Sequence, residues 1–346
     1  MATQRARLGG RVPQLTGRQT NALLAWLLAG LVATGVASWA VGTGWSQVLV
    51  SLHAVFGLTL ILALPRKATT SVRSGLRRRR PSRWISVAMA GLVVVVLALG
   101  FSHSVGVWHG VGEWSALWTH TLLGGVLIPF VLWHAGSRPS PMRRADLDRR
   151  MVLGSGVRLA GGAVLVGGLE AGSRLVGSGQ RRFTGSREVG SFDPDAMPTV
   201  FWINDRVPDL DRDDWPLTIA GQSMTVGQLT PLTRQVEATI DCTGGWYSRQ
   251  RWDAVALSEL FAADELASAR SIAIRSATGF HRLFPVADAD QTFLAVGYDG
   301  RPLRAGHGAP VRIVAPGRRG PWWVKWVTEI ELSERPWWAQ APFPTT

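Results

Sequence analysis

Cys242 is the only cysteine among the 346 residues, and it is the first candidate for chemistry. It follows a β-like run and opens a Gly-rich turn, Asp241-Cys242-Thr243-Gly244-Gly245, where backbone N–H groups can stabilise a thiolate. A single cysteine excludes an internal disulfide, a tetracysteine metal site and a Cys-x-x-Cys-His haem attachment. Cys242 is therefore either an inert small residue or a thiolate that acts alone, as a nucleophile or as a metal ligand.

Five of the seven histidines fall in the apolar first half of the chain: His53, His103, His109, His120 and His134. Polar groups at membrane depth are costly and usually have a partner or a function. His53 and His120 lie roughly 8–10 Å from the outer ends of two different predicted spans. Equal depth on separate helices suits the two axial ligands of a b-type haem. Interhelical hydrogen bonds are the alternative.

The other membrane histidines favour one haem rather than two. His134 lies four helical turns beyond His120 but has no histidine at the inner ends of the other spans. His103 is a rival axial ligand at the outer end of the third span, and His109 falls in the outer loop. The sequence therefore predicts haem b between His53 and His120.

The elements that position these histidines are apolar stretches near the 20 residues that a helix needs to cross a hydrocarbon core. Four run over residues 21–41, 46–64, 84–102 and 115–135, and a weaker fifth over 151–169. Connections rich in arginine alternate with connections that carry no Lys or Arg. By the positive-inside rule, the N-terminus is cytoplasmic. Five spans then place the chain from about residue 175 outside the cytoplasm.

The fifth stretch follows Arg149-Arg150-Met151-Val152-Leu153, a pattern of the twin-arginine export kind. Such a signal would carry a folded, cofactor-loaded domain across the membrane. The alternative is that the two arginines only end a cytoplasmic loop.

The net charge of +13 invites a nucleic-acid interpretation, but its distribution excludes one. Residues 1–178 carry +15 and residues 179–346 carry −2. The positive charge thus lies in bursts between apolar runs and does not form a basic groove on a soluble surface.

Residues 179–346 have the composition of a soluble domain, whereas residues 1–178 form the predicted transmembrane domain. Alternating segments at 217–220, 271–275 and 311–314 predict strands, and 225–228 and 255–263 predict short helical pieces. The fold class is therefore a multi-domain chain with an all-α transmembrane bundle followed by a mixed, largely antiparallel α+β domain.

Three segments in this order resemble the molybdopterin domain of the sulfite oxidase family over roughly residues 195–335. They are the Cys242 turn with the following residues 252–260, the run Gly306-His307-Gly308-Ala309-Pro310-Val311-Arg312, and Val324-Lys325-Trp326. The resemblance implies a molybdenum–molybdopterin cofactor, with Cys242 as the protein ligand of the metal. It also implies that His307, Arg312 and Lys325 hold the pterin and its phosphate, with Arg318 and Arg319 as further candidates.

Two departures from the sulfite-oxidising pattern bear on the substrate. Positions where those members carry anion-binding arginines hold Gly245-Trp246-Tyr247 and Trp202-Ile203-Asn204. A pocket with Trp246, Tyr247 and Asn204 is similar to the bacterial methionine sulfoxide reductase branch and favours neutral sulfoxides. Arg249 and Arg251 follow closely enough to keep sulfite oxidation open.

These observations predict a membrane-anchored molybdenum oxidoreductase that transfers an oxygen atom to or from a small molecule. Electrons would pass between quinone, or another membrane carrier, and molybdenum through the haem. The catalytic domain is expected to be monomeric. The alternatives are a sulfite-type oxidation, an enzyme with no haem whose helices only anchor it, and a binding or sensory protein that keeps the fold without the metal.

Overall fold

The computed structural model describes residues 13–40, 42–77, 83–108, 110–111, 114–137, 139–175, 180–201, 205–209 and 214–341. The chain divides into two compact units. The first contains long helices, and the second contains two β-sheets around a core of its own. The helices followed by a mixed sheet domain confirm the predicted fold class.

Among the described residues, five helices are long and apolar enough to cross a membrane by length and composition. They are α1 (Gly17–Ala40), α2 (Trp45–Arg77), α3 (Arg83–Val105), α4 (Ala116–Ser137) and α5 (Arg149–Leu175). Each predicted apolar stretch falls on one of these helices, apart from a residue or two at its ends. Two short strands, β1 (Gly110–Val111) and β2 (Trp114–Ser115), pair between α3 and α4.

Helix α2 is longer than the sequence predicts, because it continues through Pro65 to Arg77. The apolar stretch ends near residue 64, and the arginine-rich connection was expected to begin there. Lysine and arginine are good helix formers, so the helix persists after its apolar part has ended. The apolar length limits the span but not the helix.

The helical unit packs through leucines and small residues. Leu23, Leu27, Leu60 and Ala63 form its buried cluster. A Cβ at Gly162 on α5 would collide with Thr59 on α2, so these two helices approach closely at a glycine. Such small-residue contacts are typical of helices that associate in lipid.

The second unit contains eleven described strands in two sheets. They are β3 (Arg187–Glu188), β4 (Thr218–Ile219), β5 (Gln222–Ser223), β6 (Arg234–Asp241), β7 (Trp246–Ala256), β8 (Ser271–Ser276), β9 (His281–Pro285), β10 (Phe293–Tyr298), β11 (Arg301–Pro302), β12 (Arg312–Val314) and β13 (Val327–Ser333). The first sheet has the order β11-β10-β7-β3, with β12 beside β10 and β6 beside β7; the second is β5-β4-β13-β8-β9. Most pairs are antiparallel, and β3–β7 and β4–β13 are parallel.

Two short helices complete the unit: α6 (Val226–Leu229) and α7 (Ala263–Ser268). Thr225 caps α6, which begins one residue after the start of the predicted helical piece at 225–228. The predicted helical piece at 255–263 is wrong in its first part, since β7 runs to Ala256 and a 3-10 turn follows. The small, apolar residues there pair with β10, and this sheet pairing outweighs their helix propensity.

Candidate functional site

Cys242 lies in the turn between the two longest strands of the first sheet, directly after β6 and four residues before β7. Its N–H donates to the Trp246 carbonyl (2.9 Å), and its own carbonyl accepts the Gly245 N–H (3.1 Å). Gly245 has φ +91°, a conformation that glycine adopts without strain. The turn thus fixes Cys242 in place, with only 7% of the residue exposed.

The thiol of Cys242 is held by both hydrogen bonding and charge. Sγ accepts the Gly244 N–H at 3.3 Å. Burial raises the pKa of the thiol, whereas that N–H and the positive charges of Arg319 and Lys325 lower it. Because burial dominates, the cofactor-free thiol is protonated at neutral pH, and binding a metal would release its proton.

The indole of Trp246 shares a small space with the sulfur. A Cβ added at Gly244 would lie 3.5 Å from Cys242 Sγ and 3.6 Å from Trp246 Nε1. Trp246 Nε1 is buried and has no hydrogen-bond partner among the described residues. An orphaned donor beside a thiol indicates a place for an oxygen-bearing ligand.

Tyr247 stands apart from this space, although sequence reasoning placed it beside Trp246. Successive side chains of a strand point to opposite faces. The guanidinium of Arg182 lies 5.6 Å from the centre of the Tyr247 ring. Burial raises the pKa of the phenol, and Glu188 adds to that rise. Asn204, the third residue predicted for the pocket, lies outside the described residues.

Arg249 and Arg251 lie on the exposed side of β7, opposite the buried side chains of the strand. Arg249 Nε is 3.6 Å from Glu237 Oε1, and Arg251 Nε is 3.5 Å from Asp299 Oδ1. Both cations are therefore paired at the surface and add no positive charge to the space beside Cys242.

Arg312 is a buried cation, with only 1% of the residue exposed. Its guanidinium donates to the carbonyls of His307 (2.7 Å) and Trp323 (3.2 Å). It lies 5.1 Å from the ring centre of Trp252 and 5.6 Å from that of Trp323. Burial lowers its pKa to about 10. Aromatic faces and carbonyls thus support this charge without cancelling it.

Lys325 is a second, mostly buried cation. Its Nζ donates to the carbonyls of Val200 (2.9 Å) and Gly306 (2.6 Å) and lies 4.7 Å from the ring centre of Phe201. Within the described ranges, neither Arg312 nor Lys325 forms an ion pair with a carboxylate. The charge of Asp205 acts on Lys325 without a direct ion pair. Two such buried basic groups fit an anionic group such as the phosphate and dithiolene of a pterin.

Lys325 makes the stability of the cofactor-free protein depend on pH. Burial, together with the nearby Arg312, lowers its pKa from 10.5 to about 7. The unfolded chain therefore binds more protons between those values, and stability rises with pH through that window. We expect the thermal midpoint of wild type minus that of K325Q to increase from pH 7 to pH 9. Parallel pH profiles of the two proteins would contradict this expectation.

The ring of His307 is engaged by protein groups at both nitrogens. Nε2 donates to the Met197 carbonyl (3.0 Å), so Nδ1 accepts from the Tyr298 hydroxyl (3.2 Å). Burial, followed by the charge of Arg312, lowers the pKa of His307 to about 4, so the ring is neutral. The ring thus anchors the loop, while its carbonyl orients Arg312.

Gly308 separates the two cations and must be glycine. It has φ +105°, and a Cβ there would lie 3.0 Å from Lys325 Cβ and 3.1 Å from Arg312 Cβ. We expect G308A to lower the free energy of unfolding by about 1–3 kcal/mol and to reduce cofactor content. Urea unfolding and molybdenum analysis measure the two effects.

The matched control for this substitution is G279A. Gly279 has φ +85°, but no atom lies within 4 Å of its added Cβ. It should show the backbone strain without the loss of molybdenum. Equal molybdenum loss in both variants would contradict the role of Gly308 as a spacer.

Arg318 and Arg319, adjacent in sequence, have different surroundings. Arg318 is 2.5 Å from Asp288 Oδ2 and stacks on Trp322 at 4.6 Å. Arg319 donates to the Cys242 carbonyl at 3.0 Å and lies near Asp241. Arg319 therefore joins the cysteine turn, whereas Arg318 packs beside a tryptophan.

Sequence reasoning missed three contributors to this site. Thr184 and Ser186 donate to the carboxylate of Asp241, at 2.6 and 2.7 Å. No signal marks these two residues, because they precede the turn by more than 50 positions. Arg187 is buried and pairs in register with Trp246 in the parallel β3–β7 pair. Burial lowers the pKa of Arg187.

In the helical unit, His53 on α2 and His120 on α4 face each other with ring centres 6.0 Å apart. Nδ1 of His53 lies 3.1 Å from the Leu31 carbonyl, and Nδ1 of His120 lies 2.8 Å from the Val96 carbonyl. Carbonyls only accept, so each Nδ1 carries the proton and each Nε2 keeps its lone pair. This tautomer is the one that binds a metal through Nε2.

Two glycines make room for these rings. A Cβ at Gly35 would lie 3.3 Å from His53 Cε1, and one at Gly100 would lie 3.0 Å from His120 Cε1. His103 and His134 lie in α3 and α4, and His109 falls outside the described residues.

Parts of this chain are similar to known proteins. Residues 204–341 match the family model described as "Oxidoreductase molybdopterin binding domain". A relative from Azospira oryzae, named "Putative protein-methionine-sulfoxide reductase subunit YedZ1", is 25% identical over 205 residues, which are 52% of this chain and 76% of that protein. Sulfane dehydrogenase SoxCD from Paracoccus pantotrophus is a structural match at 24% identity and TM-score 0.34, covering 37% of this chain and 40% of the SoxCD chain.

Residues 204–341 therefore correspond to a molybdopterin-binding oxidoreductase domain, and the chain is an enzyme. Among the described residues, five helices of membrane-spanning length and composition precede this domain.

Proposed function

We propose that this chain is a membrane-anchored enzyme that transfers an oxygen atom, with sulfoxide-type reduction as the favoured direction. One observation carries the proposal: the buried Cys242 thiol shares a small space with the orphaned N–H of Trp246. The buried basic residues Arg312 and Lys325 support it, because they act electrostatically on Cys242 and fit an anionic cofactor.

The roles of the residues follow from their contacts. Cys242 supplies the thiolate ligand, and Arg312 and Lys325 hold the pterin and its phosphate. When bound, the cofactor supplies a metal that exchanges one oxygen atom and two electrons. Trp246 directs its N–H toward the substrate oxygen, and Gly244 keeps that space open. His307 keeps Arg312 oriented through its carbonyl.

A neutral substrate is favoured because the indole of Trp246 lies beside Cys242 Sγ, whereas the guanidinium of Arg319 is engaged by Asp241 and by the Cys242 carbonyl. The printed name of the Azospira relative, a protein-methionine-sulfoxide reductase subunit, agrees with this class. Sulfite-type oxidation is the second candidate. It is favoured by Arg187, a buried cation opposite Trp246 that could bind an anion.

Electrons are proposed to reach the catalytic domain from a quinone or another membrane carrier through haem b. A metal ion bonded at about 2 Å to a nitrogen of each ring would hold two imidazoles with centres roughly 6 Å apart. The spacing of His53 and His120 fits that value, and their Nδ1 contacts fix the ligating tautomer.

The haem assignment gives a spectroscopic prediction. We expect H53A and H120A each to abolish the b-type band in the reduced-minus-oxidised spectrum of the full-length protein in detergent, because each loses one axial ligand. H134A is the matched control and should keep the band. Loss of the band in H103A, with retention in H53A, would contradict the assignment and make His103 the ligand.

We further propose a multi-pass protein with a transmembrane domain at residues 1–178 and an extracytoplasmic catalytic domain at 179–346. The N-terminus is then cytoplasmic and the catalytic domain monomeric. Arg149-Arg150 is proposed as the twin-arginine signal, at the start of α5. Reporter fusions at Thr346 test the placement, since cytoplasmic reporter activity would contradict it.

The proposed function is tested by assaying purified full-length protein, in detergent, with a dye donor and a methyl sulfoxide, and with a dye acceptor and sulfite. Faster sulfoxide reduction is the expected result. Sulfite oxidation that exceeds it and is lost in R187Q would favour the second candidate. Neither activity in molybdenum-loaded protein would contradict both.

A further inference from the structure

A buried ion pair lies directly behind the cysteine turn. Asp241, the residue before Cys242, is 3% exposed, and Arg319 is 2% exposed. Arg319 Nε is 3.6 Å from Asp241 Oδ1, and Arg319 Nη2 donates to the Cys242 carbonyl at 3.0 Å. An isolated parallel bridge joins the backbones of Asp241 and Arg319. The arginine therefore connects its own loop to the residue that carries the thiol.

The carboxylate of Asp241 is fixed from its other side. Oδ2 accepts the Thr184 hydroxyl at 2.6 Å, and Oδ1 accepts the Ser186 hydroxyl at 2.7 Å. Arg182 Nε lies 3.4 Å from Oδ2. With both oxygens engaged, the carboxylate keeps one orientation. It therefore holds the Arg319 guanidinium in one orientation as well.

A buried ion pair is weak evidence for a stabilising role, because desolvating two charges cancels much of their attraction. Its position indicates another role. Arg319 is a positive charge that acts on the Cys242 sulfur, and Asp241 is a negative charge that acts on it with the opposite sign. The two charges thus set the electrostatic field at the Cys242 sulfur. Their contacts also fix the geometry of the turn.

We propose that Arg319, aligned by Asp241, is a positioning residue that holds the Cys242 turn and raises the reduction potential of the metal centre. This inference rests on the proposed role of Cys242 as the molybdenum ligand. A reduced centre carries more negative charge than an oxidised one, so a nearby positive charge favours reduction.

The two members of the pair should shift the potential in opposite directions. R319Q removes the positive charge and is expected to lower the midpoint potential. D241N keeps one oxygen that accepts a hydroxyl and an NH2 that can donate to the other, removes the negative charge, and is expected to raise the midpoint potential. R319K keeps the charge and should lie between R319Q and wild type. A merely structural role would reduce molybdenum content without producing opposite signs.

The experiment is a redox titration of full-length holoenzyme in detergent, followed by the molybdenum EPR signal, with molybdenum content measured in parallel. R282Q is the matched control. Arg282 is 3% exposed and donates to the carbonyls of Pro321 (3.3 Å) and Ala341 (2.8 Å). Its loss removes a buried guanidinium that does not act on Cys242, so the potential should stay at the wild-type value.

Shifts of the same sign in R319Q and D241N, or no shift in either, would overturn the inference. If R319Q does not accumulate in the cell, D241N alone provides the test. An unchanged or lowered midpoint potential in D241N would contradict the proposed role of Arg319. C242S separates this inference from the proposed function. If C242S leaves the EPR signal unchanged, the ligand assignment fails; if C242S changes the signal while R319Q and D241N do not shift the potential, only this inference fails.

Discussion

Replacing Cys242 by serine is expected to lower the rate of oxygen-atom transfer by at least about 100-fold, more than the loss of a residue that only supports a ligand. The variant exchanges a soft, polarisable thiolate for a hard oxygen and so changes the ligand field of the metal. Arg312 and Lys325 are untouched, so the pterin should remain bound. Steady-state turnover and the visible absorption spectrum, measured on protein of known molybdenum content, check both statements.

T243S is the control for this substitution. Thr243 follows Cys242 in the same turn, and serine keeps its hydroxyl. Turnover within about twofold of wild type is expected there, as for a mild change away from the chemistry. Retention of full turnover by C242S would remove the cysteine from the mechanism and favour a protein that keeps the fold without the metal.

The second large effect is expected at Lys325. K325Q keeps an N–H donor for the Val200 and Gly306 carbonyls but removes the charge. Truncating one partner of a buried charge pair typically costs about 2–5 kcal/mol, so retention of the pterin should weaken by at least about 30-fold. Molybdenum and pterin content after dialysis of the full-length variant gives the measurement.

R275Q provides the comparison for K325Q. Arg275 is exposed and pairs with Glu329 in the second sheet, at 2.9 Å. It should lose no cofactor, because surface ion pairs contribute little. Equal cofactor loss in the two variants would show that Lys325 acts through general stability and not through the charge that it places at the site.

The sequence predicts the local structure around Cys242, because the formation of a turn depends on neighbouring residues. The glycines after Cys242 predict a turn after a β-like run, and the structure has that turn directly after β6. The strand β7 that follows the turn was not predicted. The apolar stretches likewise predict the five helices, because the thickness of a bilayer sets their length.

Contacts between distant segments could not be predicted in the same way. The pairing of Asp241 with Arg319 depends on how β6 packs against the loop that precedes the 3-10 turn at residues 320–322. No local sequence pattern encodes that packing. The separation of Tyr247 from Trp246 depends on the two-residue period of β7, which becomes informative once the strand bounds are known. Arg249 and Arg251 follow the same alternation onto the exposed face.

The histidines of the helical unit combine a feature that the sequence predicts with contacts that only tertiary packing determines. Equal depth predicts that His53 and His120 could meet, because helical rise is constant. The carbonyls of Leu31 and Val96 that accept from their Nδ1 atoms belong to other helices, and their positions follow from packing. Sequence therefore supplies candidate pairs, and tertiary structure supplies the tautomer.

We propose above that Cys242 binds molybdenum in the second unit. The most direct measurement is molybdenum X-ray absorption on the full-length protein and on C242S, which counts the sulfur atoms around the metal. One sulfur fewer around the metal is expected in C242S, with molybdenum still present. An unchanged sulfur count, or wild-type protein without molybdenum from cells that make the pterin, would contradict it.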